Sequence, residues 1–232
     1  PGGTVTKHSV HVPENAAITI HAETSPRRRL ASKSGTPKTL TVRVIANGNS
    51  QPQNSKSQLQ GRVFGVGGDA EDNTVFTQYK KCSFGAQDIQ PATSGNGVQS
   101  GVVDVNASID IASCNILGDC QNQIIAATEL QLGIAAGSLD SSDPPYDFVM
   151  FCMPDGTMFG EGGRTTWAAF AYTGDRTAFF QKGYCGIMST AMHELGHLMG
   201  FGHSNEGNSI RQDKSGALVS SIGCLLYTPN AP

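Results

Sequence analysis

Residues 193–203 read HELGHLMGFGH, which sets three histidines, one glutamate and one glycine in the pattern H-E-x-x-H-x-x-G-x-x-H. If each residue type occurs about one time in twenty, five fixed positions match by accident roughly once in a few million windows. The chain has 232 residues, only six of them histidine, so an accidental match has little opportunity. The spacing also has a physical meaning. Residues four apart share a helix face, so His193 and His197 can aim their imidazoles at one point. Glu194, one step round from the first, stands beside that point without occupying it. Gly200 can enter the left-handed conformation that ends a helix and reverses the chain, which returns His203 toward the same point. Three protein ligands on a tetrahedral zinc ion leave one position for water, the pattern of catalytic rather than structural sites. The expectation is one catalytic zinc ion held by His193, His197 and His203, with Glu194 as the catalytic base that takes a proton from water and passes it to a leaving amine. Tyr184 and Tyr227 are candidate donors to the oxyanion, although packing is the commoner role of such tyrosines.

Composition sets the frame. A hydrophobic content of 38% over this length can bury a full core as one domain. A formal charge of −3 gives no electrostatic reason to expect nucleic acid or an anionic membrane as partner. No apolar run approaches the ~18–20 residues that cross a bilayer. Ile124 to Ala136 is among the longest, and Thr128, Glu129 and Gln131 interrupt it. The expected partner is therefore a protein or glycoprotein substrate, with no nucleic acid, no membrane insertion and a monomeric chain.

Six cysteines (Cys82, Cys114, Cys120, Cys152, Cys185 and Cys224) are scattered with no C-x-x-C pair. An even, scattered set reads as three disulfides in an oxidising, secreted context, and the alternative is six reduced thiols in a cytosolic enzyme. Cys114 and Cys120 are close enough to staple their own loop and are the first pair expected. Low charge (15% Asp, Glu, Lys and Arg) and 28 glycines suit an extracellular protein. The chain starts at Pro1 rather than Met and reads as a processed piece, so a missing leader says nothing against secretion.

The first 38 residues differ from the rest. Thr4 to Val12 and Ala17 to Ala22 are short strand-like runs, followed by Pro26-Arg27-Arg28-Arg29 and a Ser/Gly/Pro-rich link. The basic run reads either as a cleavage point between pro-segment and enzyme or as a solvated turn. His8, His11 and His21 read as surface residues of this segment. Residues 39–232 carry the signals of a mixed domain. Leu40, Val42 and Val44 alternate with polar residues as in a strand, and Asp72 to Lys81 has helical spacing at Val75, Phe76 and Tyr79. Val103 to Ile111 alternates most cleanly, as a half-buried strand. Gln121 to Ala136 reads as a helix, Tyr146 to Met153 as a buried strand, and Thr166 to Tyr172 as an edge strand above the substrate cleft. The zinc helix is expected from Ser189 or Thr190 to Gly200. The Ser/Asn/Gln-rich stretch 47–60 reads as a surface loop. Asn106-Ala107-Ser108, on the polar face of the expected strand, is the only N-glycosylation sequon.

The motif with its third histidine resembles the metzincin clan of zinc peptidases. QYKKCSFGAQDIQPA (78–92), VMFCMPDGT (149–157), WAAFAY (167–172) and CGIMSTAMHELGHLMGFGHS (185–204) resemble the gametolysin family, secreted algal metallopeptidases whose founding member cuts cell-wall glycoproteins. The resemblance spans roughly residues 39–216. It implies an α+β fold layered α/β/α, with a twisted mixed sheet and an active-site helix that carries the zinc motif. It also implies His193, His197 and His203 as ligands, Glu194 as the catalytic residue, residues 1–38 as the tail of a pro-domain, and a secreted, cell-wall-directed endopeptidase. Metzincins place a methionine in a turn beneath the zinc, downstream of the third histidine. No methionine follows Met199 here, and Ala217 or Leu218 stands where it would fall. A leucine there nearly conserves volume, at a cost typically below ~1.5 kcal/mol. The chain runs 29 residues past His203, short for this clan's lower subdomain. Two readings follow: an active secreted endopeptidase, and a zinc-binding, catalytically weak module that binds extracellular protein. An intact Glu194 favours the enzyme, since a binding module needs no general base.

Overall fold

The computed structural model describes residues 4–6, 9–11, 35–67, 73–160, 163 and 165–201. The expected runs Ala17–Ala22 and Arg27–Arg29, together with His8, His21, His203, Ala217, Leu218, Cys224 and Tyr227, lie outside them. In the first segment the backbone forms an antiparallel pair, β1 (Thr4–Thr6) and β2 (Ser9–His11), with Val5 opposite Val10.

The main sheet is built on β3 (Lys38–Ile45), β4 (Gln90–Pro91), β5 (Val102–Asn106), β6 (Phe148–Met153), β7 (Ala169–Ala171) and β8 (Thr177–Gln181). One edge of β3 pairs first with β4 and then with β5, and its other edge pairs with β6, which in turn pairs with β8. All these ladders are parallel. β7 closes the sheet antiparallel to β8 and is an edge strand, as its sequence implied. The fold is therefore mixed α+β around a mixed sheet.

Strand alternation divides the interior in two. Leu40, Val42 and Val44 of β3, Val103 and Val105 of β5, Val149, Phe151 and Met153 of β6 and Phe179 of β8 face one core. Against it lies α3 (Asp119–Leu132), through Ile124, Ile125 and Leu132. Val102, Phe148, Met150, Cys152, Ala178 and Phe180 face the other core. That core is covered by α1 (Lys56–Leu59), α2 (Val75–Cys82) and α4 (Met188–Leu198). Helices on both faces leave β6 and β8 wholly buried, which is why β6 reads as a continuous apolar run rather than an alternating one. The stacked rings of Phe151 and Phe179, 4.8 Å apart, sit at the sheet's centre. Each such side chain contributes about 1.5–3 kcal/mol by leaving water.

Several boundaries depart from the sequence reading. The alternation from Val103 to Ile111 promised one long strand, but the ladder stops at Asn106. Ala107 and Ile109 stay buried and Ser108 and Asp110 exposed, so the alternation is real. Beyond Asn106 the regular ladder gives way to single bonds, Ala107 N–H to Ile45 O and Asn47 N–H to Ile109 O, while Ile109 N–H turns back to Ala107 O, and the burial period outlasts the regular pairing. The helix expected to reach Ala136 ends at Leu132, because Gly133 (φ +71°) takes the left-handed cap and donates to the carbonyls of Glu129 and Leu130. α2 starts at Val75, where Thr74 accepts from Thr77 N–H as N-cap. β8 was not anticipated.

The stretch 47–60 is an irregular, mostly exposed loop as far as Ser55 and turns helical from Lys56. Ser55 and Gln58 form a reciprocal capping box that starts α1, and the helix runs on through Gln60–Phe64. Leu59 is fully buried. Arg43, buried on β3, donates to the Asn54 carbonyl at 2.9 Å and to Gln51 at 3.2 Å, and pairs with Asp104. Polar residues here serve as caps and as partners of a buried cation, so polarity alone misled.

Two disulfides join described cysteines: Cys114–Cys120, the pair expected first, and Cys152–Cys185, with Cα atoms 5.3 Å and 5.7 Å apart. Cys82 is also disulfide-bonded, and no described cysteine is free. Cys152–Cys185 ties β6 to the turn Tyr184–Gly186 just before α4, across 33 residues. A closed loop of that length restrains the unfolded chain by about 3–4 kcal/mol. Replacing both cysteines by alanine should lower the unfolding free energy by about 2–4 kcal/mol in a denaturant titration. An unchanged midpoint would show that the bridge contributes nothing.

Candidate metal centre

α4 carries the motif on a helix whose other side is core. Ala191, Met192, Leu195 and Leu198, at helical spacing, are buried among β8, the turn at Cys185 and α2. The phenol of Tyr79 on α2 donates to the Met192 carbonyl, which fixes the rotation of α4 from behind. Burial, and secondarily the charge of Glu194, push the Tyr79 hydroxyl up, so it remains a donor at any working pH. The Tyr79 bond could not have been singled out from the motif, because its acceptor is a backbone carbonyl.

The helix ends in a Schellman cap. Phe201 N–H donates to Gly196 O and Gly200 N–H to His197 O, both at 2.9 Å, with Gly200 at φ +92°. Gly200 therefore does what its place in the motif implied. The cap also brings the Phe201 carbonyl back over the helix, 2.8 Å from His197 Nδ1. A carbonyl can only accept, so Nδ1 carries the proton and Nε2 presents a lone pair. That tautomer is the one a metal ligand requires, and a carbonyl partner at the far nitrogen is the usual way of orienting such a ligand. Gly174 N–H, from the turn between β7 and β8, donates to His197 O at 2.8 Å and holds the same residue from another side.

His193 and His197 meet as their spacing implied. Their Nε2 atoms are 3.0 Å apart and their rings stand perpendicular, at 89°. Two Zn–N bonds of about 2.0–2.1 Å reach both atoms from one centre. The chemistry of the pair fits zinc, since imidazole is among its preferred ligands. Among the described residues no third His, Cys, Asp or Glu joins them. His203, the expected third ligand, lies outside those residues, as do Ala217 and Leu218, where the turn methionine would fall.

Glu194 is buried, and burial pushes its carboxyl up to about 8 from an ordinary 4.5. A neighbouring cation would draw it back down by favouring the charged form. The sign for stability follows. In chelator-stripped protein the folded chain keeps a proton on Glu194 that the unfolded chain releases above about 4.5. Glu194 thus adds stability that is fully present below that value and lost as pH rises through about 8. The stability difference between the parent and Glu194→Gln should change by up to ~1.4 kcal/mol per pH unit across this window. A difference independent of pH would contradict the buried, protonated carboxyl.

β7 lies beside α4, its outer edge unpaired among the described residues. Such an edge can accept an extended peptide as an added strand. Tyr184, one of the two candidate oxyanion donors, packs against the core beneath α4. The other, Tyr227, is outside the described residues. No helix among the described residues is long and apolar enough to cross a membrane. Comparison of the chain with family models, curated proteins and solved structures finds no match.

Proposed function

We propose that the chain is a secreted zinc-dependent endopeptidase that hydrolyses peptide bonds in extracellular or cell-wall proteins and glycoproteins, as its resemblance to gametolysin-like metzincins implies. The observation that carries the reading is the pair of Nε2 atoms 3.0 Å apart, with one tautomer set by the Phe201 carbonyl and a buried Glu194 beside them. A mixed sheet with an antiparallel edge strand next to the motif helix supports it. The disulfides fit an oxidising compartment.

His193, His197 and His203 would hold the ion, which supplies Lewis acidity toward a carbonyl and makes a water acidic near neutral pH. Glu194 does the proton work. Its carboxylate takes the attacking water's proton and delivers it to the departing amine nitrogen, which leaves as a neutral amine rather than an amide anion. A carboxyl whose surroundings raise its basicity suits that task better than a solvated one. The β7 edge would align the substrate backbone beside α4, so that hydrogen bonding to main chain leaves side-chain preference to the flanking surface.

The test is cleavage of an unfolded protein and a broad peptide library by the full chain, with and without a chelator. The reading expects cutting that the chelator abolishes and added zinc restores. No cutting by a zinc-loaded protein would transfer the assignment to an extracellular binding module of the same fold.

A further inference from the structure

A second feature lies on the other face of the sheet from α4. After β5 the chain leaves the ladder with Asn106 and Ser108 exposed and Ala107 and Ile109 buried between and after them. The two exposed side chains therefore share a face, and they are the first and third residues of the only Asn-x-Ser/Thr sequon in the chain. Its middle residue is alanine rather than the excluded proline. Next to them opens a groove of ≈ 530 Å³ whose far wall is α3, at Gln123, Ala126 and Leu130. These three are one helical stripe, at i, i+3 and i+7. Every lining residue is uncharged. Leu130 is 83% exposed, a large apolar side chain at the rim with little to cover it. The small alanine at the middle of the stripe leaves the hollow, and the glutamine offers amide donors and acceptors. Sugar rings present C–H faces and neutral hydroxyls, which match that surface.

We propose that Asn106 is an N-glycosylation site and that the first sugars of its glycan lie in the groove over α3, covering Leu130. In the step, the Asn106 side-chain nitrogen forms a bond to the anomeric carbon of the first N-acetylglucosamine. That carbon's bond to the pyrophosphate of a lipid-linked oligosaccharide donor breaks, the lipid pyrophosphate leaves, and the amide nitrogen loses one proton. Ser108 supplies the hydroxyl that the transferase recognises two residues on. The inference does not depend on peptidase activity. It depends on passage through a glycosylating secretory route, which an added leader supplies in a test.

The chain with a cleavable leader is secreted from a eukaryotic host and mapped by mass spectrometry, after enzymatic glycan removal in heavy-oxygen water. The expected result is a labelled aspartate at position 106 in most molecules. Ser108→Ala should abolish the label and Ser108→Thr should keep it. Amide exchange across residues 122–131 should be slower, by about threefold or more, in the glycosylated protein than in the trimmed one. An unmodified Asn106 in secreted protein with fully oxidised cysteines would overturn the site. A glycan at Asn106 that leaves α3 exchange unchanged would overturn its seating in the groove.

Discussion

Glu194→Gln is expected to keep its zinc and to lose peptide cleavage by ~10² or more in kcat. Glutamine has almost the shape of glutamate, so it can occupy the buried position beside His193 without opening a cavity. What it lacks is a basic lone pair that can hold a proton between water and amine. Metal affinity should be little affected, because Glu194 is not in the expected ligand set. The measurement pairs zinc content with single-turnover cleavage, so that binding and chemistry are read separately. A glutamine variant that cut as fast as the parent would remove Glu194 from the base role. A variant that lost zinc would make the residue part of the metal site.

His197→Ala should lose zinc and activity together. This side chain is oriented most strongly in the site: Phe201 O fixes its tautomer and Gly174 N–H binds its backbone carbonyl. Its replacement leaves only His193 and His203 of the expected ligand set, and two nitrogen ligands hold zinc poorly against water. Zinc per chain should fall from about one to near zero under dialysis, and cleavage should drop to background. His197 is 7% exposed, so the alanine also empties some buried volume. A thermal melt compared with that of chelator-treated parent separates loss of fold from loss of metal. Retained stoichiometric zinc in a folded variant would assign the ion to other residues.

The motif helix was readable in sequence because its information is local. His193 and His197 are four apart on one helix, and Gly200 ends it, so no long-range contact was needed to place them together. β3 was also legible, from the alternation of Leu40, Val42 and Val44 with polar residues, and β6 from a buried apolar run that ends at Pro154. What escaped depends on neighbours. Burial alternation continues from Ala107 to Ile109 although the ladder has ended, and only the partner strand β3, which stops at Ile45, decides that. β8 was overlooked because TAFFQ is five residues long and follows a turn, where a short apolar run carries little periodicity. The stretch 47–60 hides the helix from Lys56 on for a different reason. Its polar residues are consumed by Arg43 and by a capping box, and the box Ser55-x-x-Gln58 was a signal present in the sequence. In the site, the carbonyls of Phe201 and Met192 set the tautomer of His197 and the rotation of α4, yet a backbone oxygen has no letter in the sequence.

The central claim is that one zinc ion sits at the crossing of the motif's imidazoles. Anomalous diffraction recorded on either side of the zinc edge, from crystals of the full zinc-loaded chain, tests it most directly. The account predicts a single strong peak about 2.0–2.1 Å from Nε2 of both His193 and His197, with His203 as the third ligand. A peak elsewhere, or zinc bound with either His193 or His197 turned away from it, would contradict the account.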